Sequence, residues 1–338
     1  MKKIFFLFAT IAFVICCSNK LPKDTTDSIT KYINSIKEED LKTNLYVIAS
    51  DEMEGRETGS KGQKKAGEYL IEQYKKHKIP YPTGAKSYYQ KVPAAYLNAK
   101  RNENLLDSEN IWAFIEGTEK PNEIVVISAH YDHVGMQNEE VFNGADDDGS
   151  GTVAILEIAK AFKLAKKNGH GPKRSILILH FTGEEHGLHG SRYYSENPLF
   201  PLSNTVANVN IDMIGRRDQF HANSNNYIYL IGSDYLSSDL HKICEASNSK
   251  YTQLDIDYKY NDKNSPERFY YRSDHYNFAK NGIPSVFLFN GTHADYHKAT
   301  DDVDKIEFDA LKKRTQLAFA IAWNIANAPN KLKVDIKN

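Results

Sequence analysis

The sequence predicts a single α/β domain, in which a mostly parallel, twisted central sheet is flanked by helices on both faces. Strand-like and helix-like segments alternate along most of the 338 residues, which is the pattern of parallel strands joined by crossover helices. The strand-like segments at residues 124–127 and 176–179 are apolar at every position, as expected for strands buried on both faces. The hydrophobic content of 41% is sufficient for a large core.

Each element is predicted from the spacing of its apolar residues, because side chains three or four positions apart share one face of a helix. The first helices are predicted at residues 27–36, 38–49 and 62–77. The predicted strands cover residues 110–115, 123–129, 175–181, 205–211, 227–231 and 285–289, and the later helices cover residues 152–166, 190–195, 236–246, 274–281 and 307–328. Residues 216–226 and 255–266 are polar and irregular, so we predict surface loops there.

The first residues have the pattern of an export signal. A lysine pair precedes an apolar run at residues 4–15, which is too short for a permanent membrane span. Cys16 and Cys17 follow, and this arrangement resembles the lipobox of bacterial lipoproteins. We expect residues 1–17 to be a lipoprotein signal with Cys17 lipidated, so that the protein faces the periplasm or the cell surface. A soluble periplasmic or secreted product is the alternative, because Cys16 stands where a lipobox usually has a small residue.

The rest of the chain divides into a predicted tether at residues 18–26, a folded domain at residues 27–330 and a tail at residues 331–338. Cys244 is the only cysteine outside the leader, which excludes an intramolecular disulfide in the mature domain. The formal net charge of -1 provides no basic field. We therefore expect no nucleic-acid partner, and membrane contact only through the lipid anchor.

Clusters of histidine and acidic residues follow the predicted strands, at the edge where open α/β sheets bind ligands. The clusters lie at residues 130–133, 143–151, 182–187, 210–215 and 293–301. Imidazole nitrogen and carboxylate oxygen are ligands that zinc accepts, and adjacent carboxylates require a cation or a proton between them. The clusters therefore predict a metal centre with an open position for water.

Single histidines are more often surface or core residues than ligands. We predict such an ordinary structural role for five of the histidines in and around these clusters. They are His133, His186, His189, His275 and His293.

Together with residues 53–60 and the Ser273-Asp274-His275 motif, these clusters resemble the dizinc aminopeptidases of metallopeptidase family twenty-eight. Relatives in that family include glutamate carboxypeptidases and the single-zinc glutaminyl cyclases. The resemblance covers most of the chain after the leader. It implies the zinc-exopeptidase, phosphorylase/hydrolase-like fold and a metallo-aminopeptidase that hydrolyses the N-terminal residue from peptides or proteins, with a monomer favoured.

Matched position by position, the resemblance implies two co-catalytic Zn2+ ions. His130 and Asp212 would hold one ion, Glu185 and His297 would hold the other, and Asp147 would bridge the two. A hydroxide bridging the ions would attack the scissile carbonyl.

The resemblance also implies roles for residues around the ligands. Glu184 would be the catalytic base, Asp132 would fix the ring of His130, and the peptide bond between Asp147 and Asp148 would be cis. For Asp148 we predict a supporting role around the ligands, and a solvated turn at the start of a helix stays open. Tyr271 and Arg272 are candidates for contacts with the substrate or the oxyanion, and a packing role for both stays open.

Two other functions compete with this prediction. A glutaminyl cyclase-like acyltransferase would use one zinc, whereas the Asp-Asp-Gly-Ser-Gly motif at residues 147–151 favours two metals. A catalytically dead peptide-binding lipoprotein would have a broken ligand set, whereas all five ligand candidates and Glu184 are present. Carboxypeptidase relatives carry an inserted domain, for which residues 80–110 leave no room.

Overall fold

The structure, a computed structural model, describes residues 25–100 and 103–336. The predicted leader with Cys17 and most of the predicted tether lie outside the described residues. The first helix begins at residue 25, so the last two tether residues are helical. In the described ranges, every helix is too short or too polar to cross a membrane.

Helices and strands alternate along the described residues, as the sequence predicts. The helices are α1 Thr25–Ile33, α2 Glu38–Ile48, α3 Lys61–Lys76, α4 Ala94–Leu97, α5 Gly151–Lys167, α6 His189–Glu196, α7 Ser238–Ser247, α8 His275–Ala279 and α9 Phe308–Asn327. The strands are β1 Tyr89–Val92, β2 Ser108–Ile115, β3 Lys120–His130, β4 Met136–Gln137, β5 Glu140–Val141, β6 Arg174–Phe181, β7 Thr205–Ile211, β8 Tyr227–Ile231, β9 Asp255–Asp257 and β10 Ser285–Phe289.

Eight of these strands form one sheet, in the order β1-β2-β6-β3-β7-β10-β8-β9. The four central strands, β6, β3, β7 and β10, are parallel to one another. On one side, β2 pairs antiparallel with β6, and β1 pairs antiparallel with β2. On the other side, β8 pairs antiparallel with β10, and β9 pairs parallel with β8. The prediction of a mostly parallel α/β sheet in a single domain is confirmed, and the carboxyl ends of the four central strands point the same way.

Both faces of the sheet are covered, because successive side chains of a strand point to opposite faces. On β3, Val125 and Ile127 belong to a large core with apolar residues of α1, α2, α3, α5, α7 and α9. Ile124 and Val126 belong to a second core with Tyr194 of α6 and Phe278 of α8. Strands covered on both sides require apolar residues at every position, which explains the unbroken apolar runs in the sequence.

The six predicted strands are all present, and the structure adds β1, β4, β5 and β9. The prediction of an irregular loop over residues 255–266 is wrong at its start, where β9 extends the sheet by pairing with β8. Strands β1 and β9 lie at the two edges of the sheet and have three or four residues each. Such short, partly exposed edge strands have no apolar run that would reveal them in the sequence.

Candidate metal centre

The central strands deliver the predicted ligands to one edge of the sheet. His130 is the last residue of β3, and Asp212 directly follows β7. Glu184 and Glu185 lie in the loop after β6, and His297 lies in the longer loop after β10. Because these four strands are parallel neighbours, their loops converge on one position although the residues are far apart in sequence.

Asp147 lies between two groups of ligand atoms. Its Oδ1 is 3.3 Å from Nε2 of His130, which is also 3.6 Å from Oδ1 of Asp212. Its Oδ2 is 3.0 Å from Nε2 of His297, which is also 3.1 Å from Oε2 of Glu185. Ligand atoms bound to one tetrahedral zinc ion lie about 3.3 to 3.6 Å apart, given bonds of 2.0–2.2 Å. The first group matches this spacing, and the second group, at 3.0 and 3.1 Å, is slightly more compact. Each group offers ligand atoms for one cation, and Asp147 belongs to both.

The charges at this edge also fit cations. Burial would lower the pKa of His297, but hydrogen bonds with Asp147 and Glu185 raise that pKa to about 10. Burial likewise disfavours the charged form of His130, yet the carboxylates of Glu184 and Asp212 raise its pKa well above the usual value. Buried carboxylates that hold imidazoles in their charged form would equally stabilise a divalent cation. The oxygen and nitrogen donor set is one that zinc accepts.

The carboxylate of Asp148 binds the backbone around the proposed ligands. Its Oδ1 accepts hydrogen bonds from the backbone N–H groups of Gly151 at 2.9 Å and Met213 at 3.0 Å, and its Oδ2 accepts one from the N–H of His130 at 3.2 Å. The side chain therefore joins β3, the start of α5 and the loop after β7. The peptide bond between Asp147 and Asp148 is cis, as the family resemblance implies.

Asp132 contacts His130 through both its backbone and its side chain. Nδ1 of His130 lies 3.1 Å from the backbone oxygen of Asp132 and 3.7 Å from its carboxylate. The backbone carbonyl is the nearer of the two groups, and the carboxylate helps to raise the pKa of His130. The carboxylate of Asp132 also accepts hydrogen bonds from the N–H of Glu184 at 3.2 Å and from the hydroxyl of Thr58 at 2.8 Å. It thus fixes the backbone of the predicted base.

Glu184 lies beside the first group of ligand atoms, with Oε2 4.0 Å from Nε2 of His130. Burial raises the pKa of Glu184 well above its usual value, and the neighbouring carboxylates of Asp212 and Glu185 raise it further. Its side chain lines the pocket above the metal centre. A carboxylate in this position is able to take a proton from a group in the pocket and return it.

The metal centre forms one side of a pocket of about 320 Å³. Apolar and aromatic residues also line this pocket, among them Phe287 and Phe289 of β10. Tyr271 and Arg272, both singled out from the sequence, line this pocket. A pocket of this composition can enclose an apolar side chain while the charged edge contacts polar groups.

Three residues at this edge have contacts that sequence reasoning missed. The ring of Tyr296 stacks on that of His297 at 3.9 Å, and its hydroxyl lies 3.4 Å from Nη2 of Arg272. The hydroxyl of Ser273 donates to Oδ2 of Asp212 at 2.6 Å. For Tyr296 and Ser273, the available signal in the sequence was position, because Tyr296 precedes His297 and Ser273 follows Arg272. His133, for which we predicted an ordinary structural role, lies against Glu185, with its Nδ1 2.8 Å from Oε1 of that carboxylate.

The guanidinium group of Arg56 ties the motif loops together. Arg56 is fully buried and donates hydrogen bonds to the backbone oxygens of Tyr131, Ile48, Asn143 and Gly144 at 2.6 to 2.9 Å. Two of these oxygens belong to the loop that leads to Asp147, and one follows His130. The residue therefore holds two ligand loops at a fixed separation.

The chain is similar to known aminopeptidases in sequence and in fold. Over 213 residues, the chain is 28% identical to leucine aminopeptidase 1 of Penicillium rubens, and the match covers 61% of this chain and 53% of that protein. The chain thus spans about half the length of this relative. The LapA aminopeptidase of Legionella pneumophila has a similar structure, with a TM-score of 0.69 at 20% identity, covering 98% of this chain and 81% of LapA.

A glutaminyl cyclase of Bacteroides thetaiotaomicron has a TM-score of 0.64 at 18% identity, covering 86% of this chain and 98% of the cyclase. At these identities, likeness to the two solved structures concerns the fold alone. A family model described as Peptidase family M28 matches residues 110–322. Because this match spans more than half of the chain and includes all five candidate ligands, the protein belongs to peptidase family M28.

Proposed function

We propose that the protein is a zinc aminopeptidase that removes the N-terminal residue of peptides. The observation that carries this proposal is the position of Asp147, whose two oxygens face two separate groups of ligand atoms beside a pocket. His130 and Asp212 would hold one zinc ion, and Glu185 and His297 would hold the other. Membership in a peptidase family and similarity to leucine aminopeptidases support this function.

The protein residues would divide the reaction between them. Zinc bound at this edge would supply a Lewis acid that polarises the scissile carbonyl and acidifies water. Glu184 would accept the proton of the attacking water and deliver it to the nitrogen of the leaving amine. The carboxylate of Asp132 accepts a hydrogen bond from the backbone N–H of Glu184, which fixes the backbone that carries the base.

The pocket supports a preference for peptides with an apolar N-terminal residue. Phe269, Phe287 and Phe289 line the pocket together with Met213. Enclosing a leucine-sized side chain there would contribute about 1.5–3 kcal/mol of binding free energy. The carboxylates that line the same pocket would attract the protonated α-amino group of the substrate. The contact with the α-amino group requires a free N-terminus, which favours an exopeptidase.

The glutaminyl cyclase alternative receives less support from the ligand geometry. A single-zinc enzyme needs one group of ligand atoms, whereas here Asp147 faces two groups. The similar fold of a known cyclase does not separate the two functions. The intact ligand set and Glu184 also weigh against a peptide-binding protein without catalysis.

The test combines metal analysis with two substrates. We expect two zinc ions per chain and hydrolysis of leucine p-nitroanilide, but no hydrolysis of the N-acetylated compound, whose amino group is blocked. Incubation with a peptide that starts with glutamine should release no pyroglutamyl product. One zinc ion per chain together with pyroglutamyl formation would establish the cyclase instead. Two bound zinc ions without either activity would indicate a binding protein.

For the location of the protein, we propose export and anchoring through a lipid on Cys17. The support comes from residues 1–17, in which a lysine pair is followed by an apolar run and then by two cysteines. An anchored enzyme would act on peptides in the periplasm or at the cell surface.

A further inference from the structure

His133 lies against one of the proposed metal ligands. It follows His130 by three residues, and its side chain is completely buried. Nδ1 of His133 lies 2.8 Å from Oε1 of Glu185, and 3.8 Å from Oδ2 of Asp147. None of the roles proposed above uses this imidazole.

The ring of His133 has little freedom to move. A Cβ atom added to Gly144 would lie 2.4 Å from Cδ2 of His133, so the ring packs directly on the backbone of that glycine. Gly144 has a φ of +53°, which glycine adopts without strain. On the other side, the backbone N–H of His133 donates to the carbonyl of Arg56 at 3.1 Å. The imidazole is thus held in one position before any ligand binds.

The direction of the hydrogen bond follows from its partners. An ionised carboxylate only accepts hydrogen bonds, so Nδ1 of His133 is the donor and Oε1 of Glu185 is the acceptor. The other oxygen of Glu185, Oε2, lies 3.1 Å from Nε2 of His297, where the proposed second cation would bind. Each oxygen of Glu185 therefore has a separate partner.

We propose that His133 is a positioning residue that keeps Glu185 bound to the second cation through Oε2 alone. This inference rests on the proposed function, because it requires a cation between Glu185 and His297. The bond fixes the orientation of the carboxylate, so less conformational entropy is lost when the cation binds. Hydrogen-bonding partners of metal ligands typically raise metal affinity about 10–100-fold.

The test compares His133→Asn with His133→Leu, whose side chains have nearly the same shape but differ in the donor. Zinc affinity of each site is measured on the metal-free proteins by competition with a chromogenic chelator. We expect the leucine variant to lose roughly 10–100-fold in affinity at one site and to keep the affinity of the other. The asparagine variant should keep both affinities close to those of the wild type.

His180→Leu is the matched control for removing a buried imidazole. His180 is fully buried and contacts the hydroxyl of Tyr74, away from the proposed ligands. This variant should melt at a lower temperature but keep both zinc affinities. Unchanged affinity at both sites in His133→Leu would overturn the inference, and so would a loss of affinity in His133→Asn. If the leucine variant does not fold, the asparagine variant alone decides.

The wild-type titration separates this inference from the proposed function. A wild-type protein that fails to bind a second zinc ion overturns both. If the wild-type protein binds two zinc ions and His133→Leu keeps the wild-type affinity at both sites, only the role of His133 is overturned.

Discussion

Oδ2 of Asp147 lies 3.0 Å from Nε2 of His297, while the other oxygen of the same carboxylate faces His130 at 3.3 Å. This arrangement predicts that Asp147 serves both cations. Asp147→Ala should therefore reduce the zinc content from two ions per chain to none, whereas Asp212→Ala should leave one ion. Elemental analysis after dialysis measures both. Equal zinc content in the two variants would contradict a bridging role.

Glu184→Gln should remove the base but preserve the metal centre. The amide has the shape of the carboxylate, but it cannot accept the proton of an attacking water. We expect kcat for leucine p-nitroanilide to fall by roughly 10²- to 10⁴-fold, with two zinc ions retained. Steady-state kinetics with parallel metal analysis checks this. Turnover at the wild-type rate would remove Glu184 from the mechanism.

Arg56→Lys should destabilise the fold strongly. Lysine cannot reach all four backbone oxygens that the guanidinium contacts, and unpaired buried carbonyls are costly. Loss of two charged hydrogen bonds predicts a decrease of about 3 kcal/mol or more in the free energy of unfolding. Urea denaturation of the metal-free protein measures it.

The control for this substitution is Arg217→Lys. Arg217 is 42% exposed and pairs with Glu307 at 3.0 Å, and such pairs contribute about 1 kcal/mol or less. A similar decrease in the free energy of unfolding in the two variants would show that the buried hydrogen bonds of Arg56 contribute no more than an exposed ion pair.

Glu157, which is not one of the proposed metal ligands, should make the free energy of unfolding depend on pH. Burial raises the pKa of Glu157 from 4.5 to about 7, although Lys160 at 2.7 Å opposes the increase. Between these values the folded state holds a proton that the unfolded state has released. Stability from this group is therefore present below pH 4.5 and is lost as the pH rises to about 7.

Glu157→Gln should remove this dependence. The wild type should lose roughly 3 kcal/mol more than the variant across that pH range, given 1.36 kcal/mol per pKa unit. Denaturant unfolding of both proteins at several pH values measures the difference. The exposed Glu119→Gln substitution should leave the pH profile of the wild type unchanged. Parallel profiles for wild type and Glu157→Gln would refute the prediction.

Cys17→Ser tests the anchor. Without the thiol no lipid can be attached, so the variant should move from the membrane fraction to the soluble fraction. Immunoblots of fractionated cells follow the protein, and Cys16→Ser is the matched control that should stay with the membrane. Retention of Cys17→Ser in the membrane would exclude this residue as the anchor.

The sequence by itself determined the fold class, because continuous apolar runs such as residues 124–127 require cover on both faces of a sheet. It also placed His130, Asp212 and Glu184 at the ends of strands, since the boundary of a strand is a local property. Their convergence followed from the rule that parallel strands present their carboxyl ends at one edge.

Only the tertiary structure decided which groups touch there. The contact of His133 with Glu185 joins residues 52 positions apart, and the backbone carbonyl of Asp132 lies nearer the ring of His130 than its carboxylate does. Both contacts depend on loop conformations that buried Arg56 and the close approach at Gly144 set. Local periodicity records which face of an element is buried, whereas the meeting of loops from different strands depends on packing across the whole sheet edge.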